Sequence, residues 1–150
     1  MYKAFIEIPA GDDRRRHMKY DKSGFVDLGP IKDEIPVNEG IMPVSYGYIL
    51  GTINKEEKEE QKEELDALVL SENKFSIGGE VEIEPIALLE REDKDHKIVA
   101  REIGSEKYAT WADIPEEEMK LLLDYFGYKS PITHIGTKEE ALKLIQKSSV

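Results

Sequence analysis

An acidic residue inside an apolar segment is the feature of this sequence that points most directly to chemistry. Asp66 lies within Leu65 to Leu70 (LDALVL), a run that is otherwise apolar and that predicts a buried strand. Because an ionised carboxylate is costly to bury unless it is paired or metal-bound, we interpret Asp66 as a functional residue. Carboxylate oxygens are also the ligands that hard cations such as Mg²⁺ prefer.

Three other groups of polar residues could act together with Asp66, although each also has an ordinary structural explanation. Glu7, on an amphipathic strand, would usually face solvent. Asp93 to Lys97 alternate in charge, which is typical of an exposed hairpin turn. Tyr128 and Lys129 follow a predicted helix, where a cation interacts favourably with the helix dipole. Taken alone, these residues do not define a site.

The first two-thirds of the chain predict the strands that would position these side chains. Alternating or apolar segments separated by turn residues cover 5–9, 18–21, 25–28, 46–49, 65–70, 80–89 and 96–103. Lys22 to Gly24 predicts the turn of a hairpin, and Pro85 predicts a bulge or a change of strand direction in the sixth segment. Five or more short strands with Gly and Pro between them indicate a small closed barrel.

The last third of the chain predicts two helices. The first begins near Asp113 and Pro115 and ends at Gly127, and the second follows a capping box at Thr137 to Glu140. We therefore expect a mainly β protein with C-terminal helices, organised as one domain over residues 1–150. The charged segment 54–64 predicts a solvated helical turn or a charged loop.

Composition excludes several classes of protein. A formal net charge of −11 argues against non-specific nucleic-acid binding, which depends on basic residues. No run approaches the ~18 apolar residues of a membrane span, and the first residues lack the order of a signal peptide, so we expect a cytoplasmic protein. There is no cysteine, so thiolate metal sites are excluded, and His17, His96 and His134 show no metal-ligand spacing.

Five fragments, in order and with approximate spacing kept, resemble the family I soluble inorganic pyrophosphatases. These fragments are Ile6 to Pro9, Tyr46 to Thr52, Leu65 to Leu70, Pro85 to Ala100, and Tyr125 to Lys129. The resemblance implies an OB-type closed five-stranded barrel with two C-terminal helices. It also implies hydrolysis of diphosphate with several Mg²⁺ ions, Mn²⁺ being an alternative, and a homo-oligomer, with a hexamer favoured.

The same resemblance implies a role for each matching residue. The implied metal ligands are Glu7, Glu63, Asp66, Asp93 and Asp95, and the implied catalytic residues are Glu63, which would orient the attacking water, and Asp66. The implied substrate-binding residues are Arg16, Tyr46, Lys97, Tyr128 and Lys129.

The chain also departs from the family pattern. Residues 61–66 (QKEELD) stand where the family has D-x-D-P-x-D, so Gln61 and Glu63 replace two aspartates. Met18, Leu28 and Met42 stand where the family has a glutamate, an arginine and a tyrosine. An alternative hypothesis follows: a catalytically weak or inactive relative that binds metal or a phosphorylated ligand as an assembly module. A nucleic-acid-binding OB domain is disfavoured by the net charge.

Overall fold

Eight strands and two α-helices are formed by the residues that the computed structural model describes, which are 1–56 and 63–150. The strands are β1 (Tyr2–Ile8), β2 (Arg14–Met18), β3 (Phe25–Pro30), β4 (Ser45–Ile49), β5 (Asp66–Leu70), β6 (Glu80–Arg91), β7 (Lys97–Glu102) and β8 (Ile132–Gly136). The helices are α1 (Glu116–Phe126) and α2 (Lys138–Ser148). Neither has the length and apolar character needed to cross a bilayer.

Five of the strands close into a barrel. The sheet order is β1-β4-β5-β7-β6, and β6 pairs again with β1 to complete the ring, while β8 adds to β6 and β2–β3 form a separate hairpin. All of these pairings are antiparallel except that of β5 with β7. The expected closed five-stranded barrel with two C-terminal helices is confirmed.

Alternate residues of the central strands enter two different cores. Every residue of β5 is buried. Leu68 packs in the cluster that contains Phe126 of α1, whereas Ala67 and Val69 pack in the cluster that contains Ile145 of α2. Because successive side chains of a strand point to opposite faces, the apolar run of β5 is explained by burial on both sides.

The β2–β3 hairpin differs in extent from the sequence prediction. The turn was expected at Lys22 to Gly24, but the Lys19 N–H already donates to the Gly24 carbonyl and the Lys22 N–H to the Lys19 carbonyl. The expected strand at 18–21 is therefore wrong beyond Met18, since the following residues belong to a wide turn. The strand lies earlier, in a basic segment (RRRHM) that has no apolar periodicity.

The bulge expected at Pro85 is confirmed, because the pairing of β6 with β7 shifts between Pro85 and Ala87. Of the two hydrogen bonds of the capping box expected at the start of α2, one forms. The Thr137 hydroxyl accepts the N–H of Glu140 at 3.2 Å, but the Glu140 carboxylate instead lies 2.9 Å from Nε2 of His134. Strand β8, which carries His134, was not predicted, because a five-residue strand with a mostly exposed pattern gives a weak periodic signal.

Candidate active site

The centre of the site is an ion pair between the first residues of two neighbouring strands. Asp66 begins β5 and Lys97 begins β7, and their Cα atoms are direct partners in the parallel ladder. The Lys97 Nζ lies 2.5 Å from Oδ2 of Asp66, 3.1 Å from Oδ2 of Asp95 and 3.2 Å from the hydroxyl of Tyr46. Asp66 is 9% exposed and Lys97 is 3% exposed, so both charges are desolvated and depend on each other.

Burial and neighbouring charges set the protonation of this cluster. Burial lowers the pKa of Lys97, but Asp66 and Asp95 outweigh that effect and raise it overall, so the ammonium is kept. The pKa of Asp95 is raised by burial and by the charge of Asp66. Burial and the nearby carboxylates raise the pKa of Tyr46 well above its usual value, so its hydroxyl stays protonated. The cluster holds excess negative charge that a bound cation would relieve.

Glu7 is buried because the β2–β3 hairpin covers its face of β1. Phe5, on the same face, stacks on Phe25 of β3 with ring centroids 6.0 Å apart. Oε2 of Glu7 accepts the N–H of Met18 at 2.7 Å and lies 3.8 Å from Nδ1 of His17. The nearby carboxylate of Glu7 raises the pKa of His17 against the opposing effect of burial. Glu7 is therefore buried, whereas an amphipathic strand alone would suggest that it faces solvent.

A small cavity of about 50 Å³ gathers most of the carboxylates of the site. Lys22 closes one side through an ion pair of 2.6 Å with Glu64. Burial and the charges of Asp95, Glu7 and Glu64 raise the pKa of Glu63 against the opposing effect of His17. An all-oxygen donor set under mutual repulsion suits a hard divalent cation. The four carboxylates that line the cavity are Glu7, Glu63, Glu64 and Asp66.

A larger cavity of about 220 Å³ adjoins the first, and His17 lines both. At roughly 30 Å³ per water it has room for a small polyatomic anion. Tyr46 and Phe126, stacked with centroids 6.0 Å apart, form part of its wall. The cations that line it are Arg15, Arg91, Lys97 and Lys129, and the carboxylates are Glu34, Asp93 and Asp95.

Arg15, rather than Arg16, faces the larger cavity. Arg16 points away and pairs with Asp12 at 2.9 Å, so it does not line either cavity. Arg15 lines the larger one and forms an ion pair with Glu34. Side chains alternate along a strand, so Arg15 and His17 share one face of β2. Because residues 14–16 are all arginines, the sequence does not indicate which face of β2 points toward the cavity.

The two residues at the end of α1 separate in the structure. Lys129 lines the larger cavity and its Nζ lies 3.1 Å from Oε2 of Glu34. Tyr128 is 54% exposed and lines neither cavity. Of the residues that depart from the family pattern, Met42 is buried in the wall of the larger cavity, whereas Leu28 is 52% exposed on the hairpin.

The β6–β7 turn carries Asp93 and Asp95 to the cavity wall. Oδ1 of Asp93 accepts the N–H of Asp95 at 3.0 Å, and the N–H of Asp93 donates to the Ser130 hydroxyl at 3.1 Å. Lys94 adopts a positive φ of 68° between them, which makes the turn tight. The position of Gln61 lies outside the described residues.

Two histidines that the spacing gave no reason to select are in fact in or beside the site. His17 lines both cavities, and buried His96 contacts Glu56 at 2.9 Å. His134 lies elsewhere, with Glu90 and Glu140, in a group whose ligand atoms are within 4.8 Å of one another. That group lines neither cavity, and its histidine is already paired with Glu140.

The arginine assignment makes a direct prediction. Replacing Arg15 by glutamine removes a cation from the cavity wall and should raise the KM for diphosphate about tenfold, a typical cost of one charge-assisted hydrogen bond. Replacing Arg16 by glutamine, an identical change one residue along, should shift KM by about twofold at most, since Arg16 lines neither cavity. Steady-state phosphate release measures both, and a larger effect at Arg16 would contradict the assignment.

The fold and the site together define an OB-type barrel with a carboxylate-lined cavity beside one that is lined by both cations and carboxylates. The sequence model of the family described as "Inorganic pyrophosphatase" matches residues 4–149. The chain is also 31% identical to the inorganic pyrophosphatase of Nanoarchaeum equitans, over 97% of this chain and 93% of that protein. The chain belongs to the inorganic pyrophosphatase family, which confirms the family and the enzyme class, an inorganic diphosphatase, expected from the sequence.

Solved structures agree on the fold. The inorganic pyrophosphatase of Ehrlichia chaffeensis superposes with a TM-score of 0.80 at 20% identity, covering 97% of this chain and 91% of that one. The inorganic pyrophosphatase of Neisseria gonorrhoeae gives a TM-score of 0.77 at 24% identity, covering 97% and 87%. The barrel architecture is therefore shared at low sequence identity.

Proposed function

We propose that this protein hydrolyses inorganic diphosphate to two phosphates with the help of divalent cations, and that residues 1–150 act as one domain in doing so. The observation that carries the proposal is the pair of adjoining cavities. One is lined by four carboxylates, the other by four cations together with three carboxylates, and the Asp66–Lys97 ion pair connects them. Cations gathered beside a carboxylate cluster suit a substrate that must be neutralised by metal and held by cationic side chains.

The carboxylates suit Mg²⁺ by their chemistry. Glu7, Glu63 and Asp66 line the smaller cavity and Asp95 contacts the same Lys97 as Asp66, so these oxygens would hold the ions, with Asp93 at the edge. Bound there, Mg²⁺ would neutralise phosphate charge and acidify a water molecule. Mn²⁺, which also takes oxygen ligands, would serve in its place.

The protein's own residues bind the substrate and move one proton. Lys97, Lys129, Arg15 and the Tyr46 hydroxyl would hold phosphate oxygens in the larger cavity. The carboxylate of Glu63, whose pKa is raised, would accept a proton as water oxygen bonds to one phosphorus and the bridging P–O bond breaks. That proton ends on the departing phosphate, so two hydrogen phosphates leave and Glu63 is regenerated.

Phosphate release from diphosphate tests this proposal. Protein stripped with a chelator should release no phosphate above background, and adding Mg²⁺ should restore turnover, because the charge of diphosphate otherwise opposes attack. Adding Ca²⁺ instead, which is larger and takes more ligands, serves as the matched control and should restore far less. If the protein binds Mg²⁺ and Mn²⁺ but shows no turnover with both ions tested, the alternative of a catalytically inactive, metal-binding relative would be supported instead.

The finer expectations from the resemblance stay predictions. They are a homo-oligomer, favoured as a hexamer, a cytoplasmic location, and roles for Arg16 and Tyr128 in substrate binding. Both of these side chains lie outside the linings of the two cavities, and the glutamine substitutions of Arg15 and Arg16 described above decide which of the two arginines binds substrate.

A further inference from the structure

Arg91 is a buried cation whose hydrogen-bonding capacity is only partly used. It ends β6, its side chain is 9% exposed, and it lines the larger cavity. Its Nη1 donates to the backbone carbonyl of Asp95 at 3.2 Å. Its Nε is buried and has no hydrogen-bond partner within the described part of the chain. An unsatisfied buried donor is costly and calls for an explanation.

The neighbouring carboxylates do not satisfy this guanidinium. Nη2 of Arg91 lies 3.6 Å from Oδ2 of Asp93, and Nη1 lies 3.7 Å from Oδ2 of Asp95, which is beyond hydrogen-bond distance. Asp95 is instead 3.1 Å from Lys97. These two carboxylates therefore attract the guanidinium electrostatically without accepting hydrogen bonds from it, so N–H donors remain for another anion.

The turn that follows Arg91 receives one hydrogen bond from its side chain, that of Nη1 with the Asp95 carbonyl, and its other contacts do not involve the guanidinium. The backbone N–H of Arg91 donates to Nδ1 of His96 at 3.0 Å, and its carbonyl accepts the N–H of Lys94 at 3.1 Å. The contacts of Asp93 with Ser130 and Asp95 described above hold the rest of the turn. A purely structural role would thus account for one side-chain hydrogen bond and would leave Nε unexplained.

We propose that Arg91 is a phosphate-binding residue, which receives one phosphate of the substrate or product through Nε–H and an adjacent Nη–H. This inference rests on the proposed function. A guanidinium presents two parallel donors that match two oxygens of a phosphate. Lys97 and Lys129, which line the same cavity, supply the further cations. Leu28, where the family resemblance implies an arginine, is exposed on the hairpin, so the bidentate contact would come instead from Arg91 at the end of β6.

Binding of inorganic phosphate, measured by titration calorimetry with Mg²⁺ present, tests this role in the full-length protein. R91M should weaken phosphate affinity about tenfold or more, the cost of a charge-assisted bidentate contact. R91K keeps the charge but loses the fork, and should weaken it about threefold or more. The matched control is R101M. Arg101 is partly buried against Glu84 at 3.4 Å and lines neither cavity, so affinity should change by about twofold at most.

Wild-type affinity in R91K overturns the proposal, because charge alone would then suffice, and so does the absence of phosphate binding by the wild-type protein. If circular dichroism shows that R91M does not fold, R91K decides the question. Diphosphate hydrolysis by the wild type separates this test from that of the proposed function. Turnover with an unaffected R91K would reject only the role of Arg91, and Arg91-dependent phosphate binding without turnover would reject only the hydrolase.

Discussion

Replacement of Asp66 by asparagine is expected to lower the rate of diphosphate hydrolysis about a hundredfold or more, equivalent to about 2.7 kcal/mol in the barrier. Asparagine has nearly the same size and keeps an acceptor for Lys97, which lies 2.5 Å away. It removes the charge, however, and a neutral carbonyl is a poorer ligand for a hard cation than a carboxylate. Steady-state phosphate release at saturating Mg²⁺ measures the loss.

The same substitution should also affect stability, because it leaves a buried ammonium with less compensation. Removing one member of a buried ion pair costs up to about 3–5 kcal/mol, but Asp95 and Tyr46 still contact Lys97, so we expect a smaller loss. Rates must therefore be compared on samples shown to be folded by circular dichroism.

The control for Asp66 is the same change at an exposed aspartate. Asp27 pairs with Arg14 at 3.0 Å on the hairpin and lines neither cavity, so D27N should keep the rate within about twofold, as for other surface ion pairs. If folded D66N hydrolysed diphosphate as fast as D27N does, the ion pair at the centre of the site would have no part in the reaction.

Replacement of Gly47 by alanine should have the largest effect on folding. Gly47 on β4 pairs with Ile6 of β1 and Ala67 of β5, and a Cβ there would clash with the Phe5 carbonyl oxygen, 1.8 Å away. That oxygen belongs to the backbone of a closed barrel and cannot rotate aside. Relief requires β1 and β4 to separate, so we expect a loss of about 3 kcal/mol or more in the free energy of unfolding, measured by urea titration.

Gly104 provides the matched control for this prediction. It has a positive φ of 94° but open space where a Cβ would lie, so G104A should cost about 1–2 kcal/mol from backbone strain alone. A loss for G47A no larger than that for G104A would mean that the barrel tolerates separation of β1 and β4. Because Gly47 precedes Tyr48 and follows Tyr46, both cavity residues, a residual folded fraction should also show reduced activity.

Local periodicity predicted most of the barrel, and its failures share a cause. The sequences of β5 and β6 are apolar or alternating, so these two strands could be recognised from their local sequence pattern. β2 (RRRHM) and β8 (ITHIG) could not, because each is a short strand with mostly polar or exposed residues. β2 pairs with β3 across a wide turn and β8 pairs with the distant β6, so both are formed by strand pairing that their own sequence pattern does not indicate.

Some residues of the site could be selected from the sequence itself, others only from the family resemblance, and some were missed. Asp66 could be selected from the residues alone, because a carboxylate in an apolar strand must find a partner. Glu63, Asp93, Asp95, Tyr46 and Lys97 came from the family resemblance and now lie in or against the two cavities. Arg15, Arg91 and His17 were missed, since nothing in the sequence indicates which side of a polar strand or turn faces a cavity.

The sequence by itself determined the closed barrel, the order of its elements and the need of Asp66 for a cation, because these follow from the burial of apolar residues and the cost of burying charge. The tertiary structure alone decided which cation that is. Lys97 meets Asp66 since β5 and β7 pair in parallel and in register, a contact that joins residues 31 positions apart. The pairing register of the strands, and the face of the sheet on which each side chain lies, depend on how the whole barrel closes. Which residues meet in the site is therefore decided only when the chain folds.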